Sequence, residues 1–135
     1  MRVLHRCRTV ITNQHETAGR PNVAGILLNA SLAGWFQLYG YRILARRWRC
    51  AAGEIDLFVK RRQQLVFVEV KYRFHADQIV MPSSTQCRRI RSAAALLLDK
   101  YSEMSDAQCR FDLLIINHGR IFGVGRIVHL KNAWQ

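Results

Sequence analysis

Two apolar runs separated by a short polar break constrain the fold of this chain more than any other feature. The runs are IDLFV at residues 55–59 and LVFVEV at residues 65–70, and RRQQ at residues 61–64 lies between them. Runs rich in Val, Leu and Phe that flank a break of this length predict an antiparallel β-hairpin. We expect residues 61–64 to form the loop, so that Lys60 pairs with Leu65.

Charged residues interrupt both predicted strands. In the expected register, Asp56 lies opposite Glu69, and Glu54 lies opposite Lys71. Side chains alternate along a strand, so Glu69 and Lys71 share a face with Arg73. The hairpin therefore predicts three acids and one lysine converging on one patch of a sheet that is too apolar for a free surface.

Such a patch needs a compensating charge. Two carboxylates directly opposite on a sheet are ~5 Å apart between Cβ atoms and repel each other. Protonation, a lysine or a divalent cation can offset the repulsion. Mg²⁺ held by one or two carboxylates keeps waters for a phosphate substrate, and a nearby lysine can orient or deprotonate water. The pattern suits metal-assisted phosphodiester hydrolysis. A structural salt-bridge network on a solvated strand face is the alternative.

The rest of the chain predicts a mixed β-sheet with a helix on each side, an α/β fold. Residues 1–20 are expected to form a loosely ordered basic arm, and residues 21–135 a single domain. The expected elements are a helix at 25–39 closed by Gly40, strands at 41–48, 54–60 and 65–73, a helix from a Ser83–Gln86 capping box to about Tyr101, a strand at 109–116, a turn at 117–120 and a strand at 121–130.

The charge balance favours a polyanionic partner. The 21 Lys and Arg residues exceed the 9 Asp and Glu residues, which leaves a net charge of +12. Nucleic acid is favoured over a membrane, because Lys and Arg neutralise phosphates and release counterions. The longest apolar run is also too short to span a bilayer. Arginines beside an aromatic ring suit phosphate contact and base stacking, although a solvated basic face is the alternative. The candidate nucleic-acid contacts are Arg46, Arg47, Trp48, Arg49, Arg73, Arg88 and Arg89.

Other residues carry weaker signals. The four cysteines lack zinc-site spacing, which favours reduced thiols in a cytoplasmic protein. Among the histidines, only His75 is adjacent to the predicted active strand. Asp112 is expected to order a neighbouring turn or arginine rather than to bind metal.

The segments GEIDL at 53–57 and FVEVK at 67–71 resemble the signature of the YraN-type family of small bacterial endonuclease-like proteins. That family is similar to archaeal Holliday junction resolvases and shares the restriction-endonuclease-like fold. The resemblance extends over most of the chain, through GYRILARR at 40–47, RRI at 88–90, RFD at 110–112 and NAW at 132–134.

The resemblance implies a nuclease core of the D-(x)n-E-x-K type within a restriction-endonuclease-like mixed sheet flanked by helices. Asp56 and Glu69 would be the ligands of Mg²⁺ or Mn²⁺, and Lys71 would be the catalytic lysine. The implied function is that of a metal-dependent endodeoxyribonuclease, a phosphodiester hydrolase that prefers DNA over RNA and accepts branched DNA. The resemblance to resolvases also implies a homodimer.

This chain departs from the family pattern at two positions. The family carries a glutamate on the first helix where this chain has Asn29, and an often basic position before the arginines of the second helix is Gln86. Asn29 brings no negative charge, so metal affinity should fall, and Glu54 is the candidate that could compensate. The alternative function is therefore a catalytically weak or silent nucleic-acid-binding protein on the same fold. A basic RNA- or ribosome-associated protein is a third hypothesis.

Overall fold

A computed structural model describes residues 32–73, 79–118 and 124–135 of the chain. The expected basic arm, the start of the first helix with Asn29, and His75 lie outside these residues. The elements are helix α1 at residues 32–38, strands β1 (Arg42–Cys50), β2 (Gly53–Arg61) and β3 (Gln64–Arg73), helix α2 (Ser84–Leu98) with a 3₁₀ turn (Asp99–Met104), and strands β4 (Gln108–His118) and β5 (Val124–Trp134).

The five strands form one mixed sheet in the order β1-β2-β3-β4-β5. Strands β3 and β4 are parallel, whereas the other three neighbouring pairs are antiparallel. Helix α2 lies between β3 and β4 in the chain and provides the crossover that a parallel pair requires. The expected α/β architecture is confirmed, and it is compatible with a restriction-endonuclease-like fold.

Each face of the sheet is covered by one helix, as the sequence predicted. Two separate apolar layers result. The layer under α1 contains Leu32, Phe36, Tyr41, Leu57, Val59, Val66, Val68, Leu114 and Ile116. The layer under α2 contains Trp48, Ile55, Phe58, Leu65, Phe67, Ile90, Ala93, Ala94 and Leu97.

Helix α1 ends at the glycine that the sequence indicated. Gly40 has a φ of +79°. Its N–H donates to the carbonyl of Gln37 at 2.9 Å, and the N–H of Tyr41 donates to the carbonyl of Phe36 at 3.0 Å. These two bonds form a Schellman motif, in which glycine is favoured because left-handed backbone carries no Cβ penalty. The Phe36 and Tyr41 rings meet edge to face at 5.4 Å, which supplies the accompanying apolar contact.

The hairpin has the expected register and a shorter turn. Lys60 pairs with Leu65, and the ladder continues from Arg61↔Gln64 to Leu57↔Val68. The turn therefore contains only Arg62 and Gln63, so the prediction of a four-residue loop at 61–64 is wrong. Polar side chains suggested a loop there, but the backbone of the outer two residues still pairs. Arg62 adopts a φ of 54°, which allows the tight reversal.

Helix α2 begins as predicted and ends earlier. The Ser83 hydroxyl accepts a hydrogen bond from the Gln86 N–H at 3.2 Å, which caps the helix. In a complete capping box, the Gln86 side chain would also bond the Ser83 N–H. Here it donates to Glu69 instead. The α-helix ends at Leu98, and Tyr101 has non-helical backbone angles within the 3₁₀ turn.

The last two strands are displaced from their expected bounds. Asn117 and His118 belong to β4 rather than to a turn, and β5 reaches Trp134 rather than ending at residue 130. The extension is held by the pairing of Phe111 with Trp134, whose rings stack at 5.7 Å. Apolar periodicity ends before Asn132, so the sequence pattern contained no signal for it. No helix in the described ranges is long and apolar enough to cross a membrane.

Candidate functional site

Strand β2 leaves β3 at the position where the predicted acids lie. The ladder between the two strands ends at Leu57↔Val68. Ile55 and Phe58 are three residues apart yet pack in the same core layer, so side-chain alternation breaks between them. The Asp56 carboxylate reaches β3 there, and its Oδ2 accepts a hydrogen bond from the Val70 N–H at 2.8 Å. A side chain thus takes the place of the ladder pair expected between Asp56 and Glu69.

Glu69 lies between its own strand and the first turn of α2. Its side chain is on the α2 side of the sheet and the residue is only 8% exposed. Its Oε1 atom lies 2.7 Å from Lys71 Nζ and accepts a hydrogen bond from Gln86 Nε2 at 2.7 Å. The E-x-K pair is therefore a direct ion pair, and Gln86 fixes the rotamer of its acid from the opposing helix.

Burial of Asp56 makes its carboxylate costly. The pKa of Asp56 is raised from 3.8 to about 6, chiefly by burial, although the Val70 N–H opposes this shift. The charges of Glu69 and Glu54 contribute to the rise, while Lys71 opposes it. Asp56 and Glu69 are thus close enough to repel each other, and added positive charge between them would stabilise both.

The donor set fits a divalent cation held by two carboxylates. Mg²⁺ is commonly bound by one or two acidic side chains, with water and a phosphate completing its shell. Asp56 and Glu69 meet this requirement. Across residues 32–73, 79–118 and 124–135, no group of three or more His, Cys, Asp or Glu side chains could hold a metal. A site here would therefore have few protein ligands.

Glu54 lies against arginines of the edge strand. Its Oε2 is 3.0 Å from Arg49 Nε, and its Oε1 is 3.9 Å from Arg47 Nε. Arg49 and Glu54 are also ladder partners between β1 and β2. The position opposite Lys71 that the register predicted lies beyond the end of the β2–β3 ladder.

Most of the candidate nucleic-acid contacts lie on the surface. Arg73 is partly exposed. The other five arginines of the set are exposed: Arg46, Arg47, Arg49, Arg88 and Arg89. The turn between β1 and β2 packs on α2, because a Cβ on Gly53 would lie 3.0 Å from the Arg89 carbonyl oxygen. This close approach brings the end of β1, which pairs with Gly53 through Cys50, next to the Arg89 backbone of α2.

Trp48 is a correction to the expected set. Its side chain is only 1% exposed and packs in the layer under α2. Arg47, directly before it, has a φ of 44°, and Trp48 pairs with Ile55 across the strands. The ring is part of the core, so stacking of Trp48 on a base is excluded. Arginines on both sides suggested a surface aromatic, but the edge strand turns this ring inward.

Asp112 orders a buried network, as the sequence predicted. The carboxylate accepts hydrogen bonds from Arg110 Nε at 2.7 Å and Nη2 at 2.9 Å, and from the Asn132 N–H at 2.9 Å. His129 Nε2 lies 2.7 Å from it. Burial alone would raise the pKa of Asp112, but hydrogen bonds from His129, Arg110 and Asn132 lower it overall. Arg110 also donates to the Tyr41 hydroxyl at 3.3 Å.

One residue near the site was missed by the sequence reasoning. Tyr72 lies between Lys71 and Arg73 on β3 and is 43% exposed. Burial and the Asp56 carboxylate raise the pKa of Tyr72, and the Arg47 charge partly opposes them. Its position between two basic residues was the available signal.

Comparison with known proteins identifies the family. The model of the uncharacterised protein family UPF0102 matches residues 30–116. A UPF0102 protein of Pseudomonas putida strain F1 is 34% identical over 124 residues, which cover 87% of this chain and 98% of the relative. A UPF0102 protein of Acidiphilium cryptum is 43% identical over 108 residues, covering 77% of each chain. The chain therefore belongs to the UPF0102 family, the YraN-type family that its GEIDL and FVEVK segments resemble.

Proposed function

We propose that this protein is a metal-dependent DNA endonuclease whose active site is formed by Asp56, Glu69 and Lys71. The observation that carries the proposal is the meeting of these three side chains where β2 leaves β3. The Asp56 carboxylate accepts the Val70 N–H, and the Glu69–Lys71 ion pair flanks that contact. Two mutually repelling, partly buried acids beside a lysine favour a functional site over a stabilising surface network. The resemblance to endonuclease-like proteins makes phosphoryl transfer the chemistry that we propose for it.

Each side chain has a distinct role in this proposal. Asp56 and Glu69 would hold Mg²⁺ or Mn²⁺, and Gln86 positions Glu69 from α2. When bound, the cation supplies positive charge next to the scissile phosphate and increases the acidity of nearby water. Lys71 orients the attacking water and balances the charge that develops on the phosphate oxygens. Arg73 lies two residues further along β3 and suits a contact with an adjacent phosphate.

The partner that best fits the surface is DNA. The net charge of +12 and the exposed arginines of β1 and α2 favour a polyanion. The resemblance to resolvases supports DNA over RNA, branched DNA among the substrates, and a homodimer as the active unit. A cytoplasmic location agrees with this partner and with the free thiols of Cys50, Cys87 and Cys109.

A catalytically silent DNA-binding protein on the same fold is the second candidate. One observation favours it: Glu69 Oε1 already accepts from Lys71 and Gln86, both at 2.7 Å. Those two contacts neutralise one of the two acids without metal. The presence of Asn29 where the family carries a glutamate also lowers the expected metal affinity.

Cleavage of a DNA panel tests the proposal. Duplex, single-stranded, flap and four-way-junction DNA are incubated with the protein and Mg²⁺ or Mn²⁺, alongside EDTA. We expect cleavage that requires the cation and is lost in Asp56→Asn and Lys71→Ala proteins. Lys60→Ala is the matched control, since Lys60 is on the same hairpin beside the turn. It should cleave like the wild type.

Two other results would redirect the assignment. Cleavage that persists in both site variants would mean that the activity comes from elsewhere or from a contaminant. DNA binding without cleavage in the wild type, with cleavage appearing in Asn29→Glu protein, would favour the silent binding protein. DNA binding that does not depend on divalent cations in either the wild type or Asn29→Glu would also favour the silent binding protein.

A further inference from the structure

An exposed tyrosine lies beside the candidate site and is not used in the proposed chemistry. We propose that Tyr72 stacks on an unpaired DNA base next to the scissile phosphate, an inference that rests on the proposed action on DNA. The protein would therefore prefer single-stranded or branched DNA, in which a base is free to leave the stack, over an uninterrupted duplex.

The position of Tyr72 follows from the path of β2. Beyond Val68, β3 continues without a ladder to β2, and Asp56 occupies the Val70 N–H. Tyr72 is two residues past Val70 and pairs with Ile116 of the parallel strand β4. Side-chain alternation puts Tyr72 on the face opposite Glu69 and Lys71. A strand that enters along this edge would thus have Lys71 on one side of it and the Tyr72 ring on the other.

Arg47 is the candidate phosphate contact for the nucleotide that stacks on Tyr72. Its charge is close enough to act on the Tyr72 hydroxyl, and Glu54 holds its guanidinium from the neighbouring strand. Arg47 also has a φ of 44° within an edge strand. A non-glycine residue in left-handed backbone is unfavourable, and such residues concentrate at functional sites. An arginine and an aromatic ring together can bind one nucleotide by its phosphate and its base.

Two other aromatic residues of the described ranges are alternatives to Tyr72, and neither fits. Trp48, the ring that the sequence suggested, is buried in the core. Tyr39 is 56% exposed, but it lies near the hairpin turn, because the adjacent Gly40 approaches the Arg61 side chain. The candidate site is at the other end of β2. Between the exposed rings of Tyr39 and Tyr72, the location of the site therefore favours Tyr72.

Crosslinking and binding together test this inference. Single-stranded DNA with one 5-iodo-2′-deoxyuridine is irradiated with the protein in EDTA, and the attached peptide is identified by mass spectrometry. We expect the crosslink at Tyr72, because halogenated bases couple to the ring on which they stack. Fluorescence anisotropy should show that Tyr72→Leu weakens single-strand binding about 10-fold or more, with duplex binding changed by less than about twofold. Tyr72→Phe keeps the ring and should bind like the wild type.

Controls separate stacking from misfolding and from the nuclease proposal. Tyr39→Leu removes another exposed ring, away from the candidate site, and should change neither assay. A crosslink at another residue, equal losses on single-stranded and duplex DNA, or a Tyr72→Phe protein as weak as Tyr72→Leu would overturn the inference. A crosslink at Tyr72 without cleavage of any DNA leaves the inference standing and removes the nuclease assignment. If the wild type cleaves DNA and Tyr72→Leu changes neither binding nor crosslinking, the nuclease assignment stands and the stacking inference falls.

Discussion

At the scale of single residues, the two most informative acids differ in what their burial does. Asp56 is partly buried beside other acids, so its charge destabilises the fold, whereas Asp112 is fully buried and surrounded by donors. Removing an unfavourable charge usually increases stability. A protein that retains such a charge therefore often needs it for function. The contrast between the two acids can therefore separate a functional carboxylate from a structural one.

Replacing Asp56 with Asn should stabilise the protein at neutral pH. The folded-state pKa of about 6 exceeds the usual value of 3.8, so the stabilising contribution of this carboxyl is present below pH 4 and lost as the pH rises through 6. Asn keeps an acceptor for the Val70 N–H and carries no charge. At pH 7.5 we expect a gain of about 1–2 kcal/mol in the free energy of unfolding, measured by urea denaturation. The gain should disappear near pH 4.

A metal-dependent readout accompanies that measurement. Mn²⁺ should raise the Tm of the wild type and leave that of Asp56→Asn unchanged, because a cation that binds the folded state stabilises it. Asp106→Asn, a substitution at an exposed acid, is the control. It should match the wild type both in the free energy of unfolding and in the rise of Tm with Mn²⁺. A loss of stability in Asp56→Asn at pH 7.5 would mean that Lys71 and Val70 more than offset the burial of the charge.

Replacing Asp112 with Asn should have the opposite effect. The variant leaves Arg110 without its bidentate partner, and breaking a buried ion pair costs about 3 kcal/mol or more. The pKa of Asp112 is lowered in the folded state, so its contribution is present above pH 4 and lost as the pH falls through the folded-state pKa. Urea denaturation should show a large difference from the wild type at pH 7 that narrows below pH 4. A difference independent of pH would contradict this account.

At the scale of elements, the end of α1 and the start of α2 are set by local chemistry. The Gly40 Schellman motif and the Ser83 cap were both predicted from sequence, since each depends on residues within one turn. Gln86 is an exception to this local control. The sequence predicted that its side-chain amide would cap α2, but the packing of α2 on the sheet brings Glu69 within reach, and the amide donates to Glu69 instead.

Gly34 within α1 and Gly40 just after its end should respond in opposite directions to replacement by alanine. At Gly40, where φ is +79°, the nearest atom to an added Cβ is Arg61 Nε at 3.7 Å, so the cost is backbone strain of about 1 kcal/mol. Gly34 is within the helix and a Cβ there meets nothing within 4 Å. Gly34→Ala should therefore stabilise the protein by about 0.5–1 kcal/mol. Thermal unfolding measures both, and equal signs would contradict this reading of α1.

At the scale of the whole molecule, the edge strand β1 and helix α2 both present exposed arginines. Glu54 is an acid next to those of β1, and it pairs with Arg47 and Arg49. An exposed ion pair contributes little to stability. Its larger effect is to offset part of the positive charge that Arg47 and Arg49 present to phosphates.

Replacing Glu54 with Gln should strengthen DNA binding. The change removes a negative charge beside two arginines, so we expect the dissociation constant for duplex DNA to fall about threefold in 50 mM salt, and the gain to shrink as salt rises. Fluorescence anisotropy in EDTA measures both. Glu103→Gln removes an exposed acid from the 3₁₀ turn and should bind like the wild type. Weaker binding of Mn²⁺ by Glu54→Gln, with no change in DNA affinity, would instead support Glu54 as an auxiliary metal ligand.

The sequence by itself determined the mixed α/β architecture and the hairpin register from Lys60↔Leu65 onward, and it predicted the convergence of Asp56, Glu69 and Lys71. These follow from apolar periodicity, turn residues and strand alternation, which act over a few neighbouring residues. The structural role of Asp112 also followed from its place on a buried strand.

The tertiary structure alone decided the features that depend on contacts between distant segments. The departure of β2 from β3 puts a carboxylate on the Val70 N–H, the docking of α2 brings Gln86 to Glu69, and the bend at Arg47 buries Trp48. The same packing leaves Tyr72 exposed. Local patterns cannot specify these features, because the direction of a side chain at a bulge or sheet edge is set by what packs against it.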